Sequence, residues 1–316
     1  PRSTLFPYTT LFRSLRYCYN VLMQIMIFYY FSLALLGAIM GSFVGALTWR
    51  MKRGLNWLSG RSECEHCHHR LAPTDMIPII SYLGLGGRCR YCHKRIGRLA
   101  IRLEVLTCLS FVLSGVFFPS VLEYAWRDPS ITLGVACIPT GIWCRSPGLA
   151  WLAFGLWLAC LVLMVALFVY DLRWRKLPNR LVFPLIGLSL VYSLVTLPLL
   201  HGGGAGGWLM AVAGGMAPIA GIYGTIYLAS RGKLVGLGDV KLGLAIGLLV
   251  PQWWLGLVIL FLANLLATLV SLPALLRHRL KRTSSIPFGP YLIVATYLVF
   301  LLSWLIQPAL QSFFTL

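Results

Sequence analysis

Acidic residues are scarce in this chain of 316 residues. Eight Asp and Glu stand against 27 Lys and Arg, and charged residues of both signs make up only 11%. Soluble domains carry about 25% charged and about 45–50% apolar residues; here 59% are hydrophobic. The shortage of charge excludes a soluble enzyme, a charge-rich disordered chain and a small secreted domain held by disulfides. Two nucleotide signatures are missing as well. No G-x-G-x-x-G opens a strand–helix unit, and the glycine run Gly202–Gly207 lacks the Lys-Ser/Thr of a phosphate loop. That run reads as a tight connection between two membrane spans.

Long apolar runs are what the chain has instead. About 20 apolar residues cross a hydrocarbon core of about 30 Å. Runs of that kind cover 27–49, 103–119, 151–170, 182–200, 208–229, 255–276 and 286–306, and a shorter one covers 241–250. Basic residues test the count, because they collect in cytoplasmic loops. With eight crossings, the loops 50–102, 171–181, 230–241 and 277–285 hold 22 Lys and Arg, and the opposite loops hold only Arg127 and Arg145. The expected fold is therefore all-α: a polytopic helix bundle of about eight spans, with both termini outside. The large basic loops would lie in the cytoplasm. The net charge of +19 reads as an orientation signal and an affinity for anionic lipid headgroups, not as a nucleic-acid site.

The residues ahead of the first run show neither a helical stripe nor strand alternation. Residues 1–22 are expected to be a non-native or disordered leader, with Met23 or Met26 as the start; a cleavable signal peptide is the rival reading. Residues 23–49 form the first span, 50–102 a cytoplasmic loop, 103–306 the membrane core and 307–316 an outside tail.

The loop 50–102 is the only sizeable polar stretch. It contains Cys64-Glu65-His66-Cys67 and Cys89-Arg90-Tyr91-Cys92. Two CxxC knuckles can close a tetrahedral all-thiolate site around one Zn²⁺. The excess of basic over acidic residues in the loop would offset the charge of four thiolates. So short a segment needs a metal for folding energy. Cys64, Cys67, Cys89 and Cys92 are thus the expected ligands of a structural zinc, with His66, His68, His69 and His93 left solvated. Cys137 and Cys144 lie in an outside loop, where a disulfide is permitted.

Of the eight carboxylates, Glu104 opens the run 103–119, five lie in loops, and Asp171 and Asp239 remain at the ends of apolar runs. Asp171 closes 151–170, and Asp239 sits in Gly236-Leu237-Gly238-Asp239-Val240-Lys241. An ionisable group at membrane depth is a functional candidate. Both would lie at the cytoplasmic ends of their helices, at similar depth. Two carboxylates in contact share one proton. One could then activate water while the other holds the carbonyl under attack. The glycines before Asp239 leave room for a substrate backbone.

At this point the chain resembles the type IV prepilin peptidases, a GxGD family of membrane aspartic proteases. The resemblance runs from about Gly41 to Leu302. It rests on Gly41-Ser42-Phe43, the two CxxC pairs around Ile77-Pro78-Ile79-Ile80-Ser81-Tyr82-Leu83, Arg102-Leu103-Glu104, Asp171 with Leu177-Pro178-Asn179, the Gly236–Leu242 segment, and Ile286-Pro287-Phe288-Gly289-Pro290. It departs from the family at Leu99-Ala100-Ile101, where a Tyr-Pro pair is usual. The resemblance implies a multi-pass protein of the bacterial inner membrane with its active site at the cytoplasmic face. Asp171 and Asp239 would be catalytic, with Gly236, Gly238, Lys241 and Glu104 in supporting roles. The substrates would be prepilins or type II secretion pseudopilins, cut after a glycine that precedes an apolar helix. Many members also methylate the new N-terminus with S-adenosylmethionine, for which this sequence offers no binding motif. Two other readings stay open: a signal-peptide-peptidase-like protease of the same GxGD chemistry, and a proton-coupled transporter using the same two carboxylates.

Overall fold

The computed structural model describes residues 8–56, 62–124, 147–201, 205–276 and 287–314. Cys137, Cys144, the glycines 202–204 and Ile286 fall outside them, and with them the expected outside disulfide and part of the glycine-rich connection. The described residues are helical apart from connecting loops and two isolated β-bridges. The elements are α1 (Tyr8–Lys52), a 3₁₀ turn (Pro73–Met76), α2 (Ile80–Gly84), α3 (Leu99–Tyr124), α4 (Pro147–Trp174), α5 (Asn179–His201), α6 (Ala205–Met216), a π-helical turn (Ala217–Gly221), α7 (Ile222–Ser230), α8 (Leu237–Leu249), α9 (Trp253–Leu276) and α10 (Gly289–Phe314).

Among the described residues, six helical stretches are long and apolar enough to cross a membrane: Tyr19–Lys52, Leu99–Phe118, Gly148–Trp174, Asn179–Thr196, Leu209–Ser230 and Trp253–Pro273. The apolar part of α10, Gly289–Ser303, is shorter, and α8 has 13 residues. At about 1.5 Å per residue α8 spans roughly 20 Å, less than the hydrocarbon core. Each of the eight runs picked out by sequence therefore coincides with helix, but α8 reaches only part of the way. Helix α1 starts at Tyr8, well ahead of Met23.

The chain divides into two compact units, residues 1–43 with 61–115 and residues 44–60 with 116–316. In the first unit, the early part of α1 lies on α3 through two glycines one helical turn apart. A Cβ on Gly37 would come within 2.8 Å of the Cys108 Cα, and one on Gly41 within 2.7 Å of the Glu104 Cα. Small residues at this spacing let two membrane helices approach backbone to backbone, which gives a reason for Gly41 in the first span.

In the second unit, α8 is the inner helix. It packs on α5, α6, α7 and the π turn, while α4 packs on α5 and α10, and α9 on α10. Leu242, Gly243, Ala245, Ile246, Gly247, Leu248 and Leu249 of α8 are all buried. Side chains buried all round need neighbours in every direction, so this short helix is a core element. Its closest approach is to the α6 end, where a Cβ on Gly247 would sit 2.6 Å from the Met216 Cα. Pro218 comes next, within the π turn. Proline has no N–H to give to the helical ladder, and a π turn is a common way for a helix to absorb that loss.

Candidate functional site

The cysteine cluster is made of two copies of one turn. In the first, the Cys64 N–H donates to the His69 carbonyl at 3.0 Å and the His68 N–H to the Cys64 carbonyl at 3.0 Å. In the second, the Cys89 N–H donates to the Lys94 carbonyl at 2.9 Å and the His93 N–H to the Cys89 carbonyl at 3.0 Å. His68 and His93 hold the left-handed position of each turn, with φ of 55° and 56°. Bridges Glu63–Arg70 and Arg88–Arg95 close the two bases. Each turn points its two thiols to the same side. The four sulfurs lie within 4.8 Å of one another, with Cys64 and Cys92 3.9 Å apart. Tetrahedral zinc at about 2.3 Å from each sulfur needs sulfurs about 3.8 Å apart. The four thiols fit such an ion with little movement. Burial opposes ionisation of Cys64, but the N–H groups of Cys67 and His66 outweigh it and bring the thiol down to about 7. The His69 N–H favours a thiolate at Cys67, but desolvation and the neighbouring thiols outweigh it and push that thiol the other way, up to about 11, so without an ion the cluster favours one thiolate over several. All four loop histidines are exposed.

The two turns are tied together by a residue that sequence left without a role. Asp75 accepts hydrogen bonds from Arg90 Nε at 2.7 Å, Tyr91 Oη at 3.2 Å and the Ala72 N–H at 3.2 Å. Its side chain is only 3% exposed. Burial pushes its carboxyl up, but these donors and the Arg90 charge hold it below its ordinary value. Arg90 and Tyr91 lie inside the second CxxC, and the Tyr91 ring meets the His69 ring beside the first at 3.7 Å. One carboxylate thus fixes the register of both turns. Proximity along the chain (eight residues past Cys67) was the only available signal.

Glu104 belongs to this same unit. It is buried, and its Oε2 accepts the Ile79 N–H at 2.7 Å.

The remaining candidates lie in the second unit. Asp171 sits one turn before the end of α4 and is buried. The Gly289 N–H donates to its carboxylate. Asp239 occupies the first turn of α8 and is half-buried; the Gly236 N–H donates to it, and Asp171 lies within Coulombic reach. A helix N-terminus carries partial positive charge and favours an anion there. Two carboxylates far apart in sequence thus lie within electrostatic reach of each other, one near a helix C-terminus and the other in the first turn of a helix.

Close packing fixes them. A Cβ on Gly289 would lie 2.8 Å from Asp171 Oδ2, and one on Gly238 would lie 3.0 Å from the Leu177 Cβ. Leu177, on the turn between α4 and α5, also comes within 3.5 Å of the same Gly289 position. It wedges between the two segments that carry the acids and the third that caps Asp171. Lys241 donates to Asn179 Oδ1 at 3.0 Å and lies over the Phe183 ring at 4.9 Å, which joins α8 to the start of α5. Tyr223 is within Coulombic reach of Asp239, packs its ring edge-on against Phe288 at 5.3 Å and accepts from Asn264 Nδ2 at 3.5 Å. Of the sequence candidates, Asp171, Asp239, Gly236, Gly238 and Lys241 are thus gathered in one region. Leu177 and Gly289 had appeared in the sequence only as motif letters, and Tyr223 and Asn264 not at all.

Comparison with known proteins supports the same division of the chain. Residues 35–118 match the Bacterial Peptidase A24 N-terminal domain, and residues 158–272 match the Type IV leader peptidase family. A Prepilin leader peptidase/N-methyltransferase of Dickeya chrysanthemi is 30% identical over 293 residues, covering 84% of this chain and 89% of the relative.

The chain belongs to the type IV leader peptidase family.

Relatives of the same description occur in Aeromonas hydrophila, 28% identical over 256 residues (78% of this chain, 73% of the relative), and in Bacillus subtilis strain 168, 26% identical over 273 residues (85% and 92%). No solved structure matches. In this leader peptidase the cysteine cluster and Glu104 fall in the N-terminal matched region, and both aspartates fall in the second.

Proposed function

We propose that this protein is a membrane aspartic endopeptidase that removes the basic leader from prepilins or pseudopilins, with Asp171 and Asp239 as its catalytic pair. The observation that carries the reading is the approach of these two carboxylates to each other among Gly236, Gly238 and Gly289. Like charges brought close together resist double ionisation, and in this reading the pair shares one proton. The ionised member takes a proton from a water molecule, and that water attacks the scissile carbonyl. The protonated member hydrogen-bonds the carbonyl oxygen as negative charge develops on it. When the tetrahedral intermediate collapses, a proton passes to the departing amine. Asp171 is held by the Gly289 N–H and Asp239 by the Gly236 N–H. Lys241 and Asn179 act as positioning residues that hold α8 to α5.

The concentration of Lys and Arg in four loops puts those loops, and the ends of α4 and α8 with them, on the cytoplasmic side of a bacterial inner membrane. A substrate with a basic leader and an apolar helix suits that location: the helix can remain in lipid while the leader reaches the carboxylates. Cleavage after glycine suits a site crowded by Leu177.

Cys64, Cys67, Cys89 and Cys92 would hold the zinc. Bound there, the metal supplies cross-links that a loop of this size cannot make from apolar packing. The relatives' names carry a second activity, N-methyltransferase; in this reading it would act on the freed amine, with S-adenosylmethionine as the methyl donor. No described residues are assigned to that cofactor, and the two carboxylates suffice for the hydrolytic steps. The transporter and signal-peptide-peptidase readings lose ground to the family match, which spans both the cysteine loop and the aspartate region.

The test is incubation of purified protein with a model prepilin, with and without S-adenosylmethionine, read by intact mass. Loss of the leader mass in both reactions is the expected result, with a further 14 Da, about one methylene, only where the cofactor is present and the second activity exists. An uncut substrate would remove the reading.

A further inference from the structure

Between the two cysteine turns the backbone adopts one strained conformation. Ile79 has φ 64° and ψ −54°, and the Ile80 N–H donates back to the Pro78 carbonyl at 2.6 Å. This is a three-residue γ-turn with a β-branched residue in the left-handed region, which costs about 1–3 kcal/mol wherever it persists. Such a conformation survives only if its surroundings impose it. The restraint here is Glu104, whose Oε2 takes the Ile79 N–H at 2.7 Å. Glu104 cannot easily move, because Gly41 of α1 lies directly against its backbone.

The turn sets the direction of the chain beyond it. Helix α2 is directed outward, and its Ile80 and Leu83 are each 68% exposed. Met76 and Ile77, just before the turn, are 43% and 42% exposed. Four large apolar side chains are thus exposed within eight residues of a loop that is otherwise strongly basic. Arg88, Arg90, Lys94, Arg95, Arg98 and Arg102 come within 20 residues of Leu83 and are exposed. Contiguous exposed apolar surface marks a place where something else covers it.

The height of these side chains is also fixed. Glu104 lies in the second turn of α3, and Leu99–Phe118 is a membrane-crossing stretch. The outward-facing apolar residues of that helix, Val105, Leu106 and Leu109, begin immediately after it. Ile79, hydrogen-bonded to Glu104, therefore lies beside the first two turns of that stretch, at its loop end. Ile80 is its neighbour in sequence.

We propose that Ile77, Ile80 and Leu83 insert into the headgroup–acyl boundary of the bilayer, with the basic residues of the loop on anionic headgroups. The cysteine loop is then an interfacial domain lying on the membrane, and the Glu104–Ile79 bond sets its depth. Short apolar faces combined with basic neighbours bind anionic membranes in this way. The inference is independent of the peptidase chemistry.

The test uses the full chain in nanodiscs of phosphatidylethanolamine and phosphatidylglycerol, with dansylalanine incorporated at position 83. Lipid carrying a shallow nitroxide should quench the dansyl emission at least about threefold, while aqueous iodide should quench it little. Glu104→Gln retains a carbonyl acceptor and should keep this pattern; Glu104→Ala should shift it toward iodide. Should the alanine variant fail to fold, Leu83→Asp supplies the second arm, and its loop should become open to limited proteolysis. Strong iodide quenching with no effect of nitroxide lipid would overturn the proposal. So would protection that appears only when a model prepilin is added, because the cluster would then be a protein-docking face.

Discussion

At the cysteine cluster every ligand is placed by its own neighbours. Each knuckle is a short turn closed by two backbone hydrogen bonds, and the two copies are locked to each other through Asp75 and the Tyr91–His69 ring contact. At the carboxylate pair almost nothing is local. Asp171 is positioned by the turn that starts α10, Asp239 by the seating of α8, and Leu177 by the α4–α5 connection. The first centre is therefore set by a short stretch of chain and offers four thiols at metal-binding distance. The second is sensitive to any added volume where three backbones approach.

The largest expected effect separates chemistry from scaffold. Asp171→Asn and Asp239→Asn should each lower leader cleavage by about a thousandfold or more, because each removes half of a proton-sharing unit. Zinc content should not change. Cleavage kinetics and metal analysis on the same preparations check both halves of the statement.

Next in size is Gly289→Ala. The new methyl would meet Asp171 Oδ2 at 2.8 Å, and displacing a catalytic group by a fraction of an ångström costs about tenfold to a hundredfold in rate. The loop should keep its metal, as read by atomic absorption. Full activity in this variant would show that the carboxylate site has slack and would break the contrast between the two centres.

The reverse experiment acts on the loop. Cys64→Ser, or chelation of the wild type, should remove zinc and open residues 62–98 to protease. The helices should be retained by circular dichroism. Unchanged metal stoichiometry would withdraw the assignment of these ligands.

The smallest effect belongs to Asp75→Asn. The amide still accepts a hydrogen bond but loses the attraction of Arg90, whose side chain is half-exposed. Zinc affinity should fall about tenfold, measured by competition with a chelator, with cleavage by the loaded enzyme little altered.

How much of this was legible in the sequence splits along the same divide. The spacing of Cys64, Cys67, Cys89 and Cys92 announces a tetrathiol cluster because a CxxC turn is a local object. The helical runs were legible for a similar reason, since apolar length alone marks a span. Asp171 and Asp239 could be singled out as rare carboxylates at helix ends. Topology put them at similar depth and able to meet; the packing around them, Gly247 against Met216 and Leu177 against Gly238, was not legible. Gly289 was visible as part of a motif, yet its purpose appears only when a Cβ is placed there and strikes Asp171. The γ-turn at Ile79 contradicts every local preference of isoleucine, so no propensity argument could have found it. The shortness of α8 was legible in the run 241–250; that it is buried on all sides was not, because an apolar run looks the same in sequence whether it faces lipid or other helices.

The most direct test of the central claim is a cycle of kcat/KM for a model prepilin across the wild type, Asp171→Asn, Asp239→Asn and the double variant. Groups that act as one unit are non-additive. The account predicts that each single variant loses nearly all activity and that the double variant loses no more. Two modest losses that multiply in the double variant would contradict it, since the carboxylates would then be working separately.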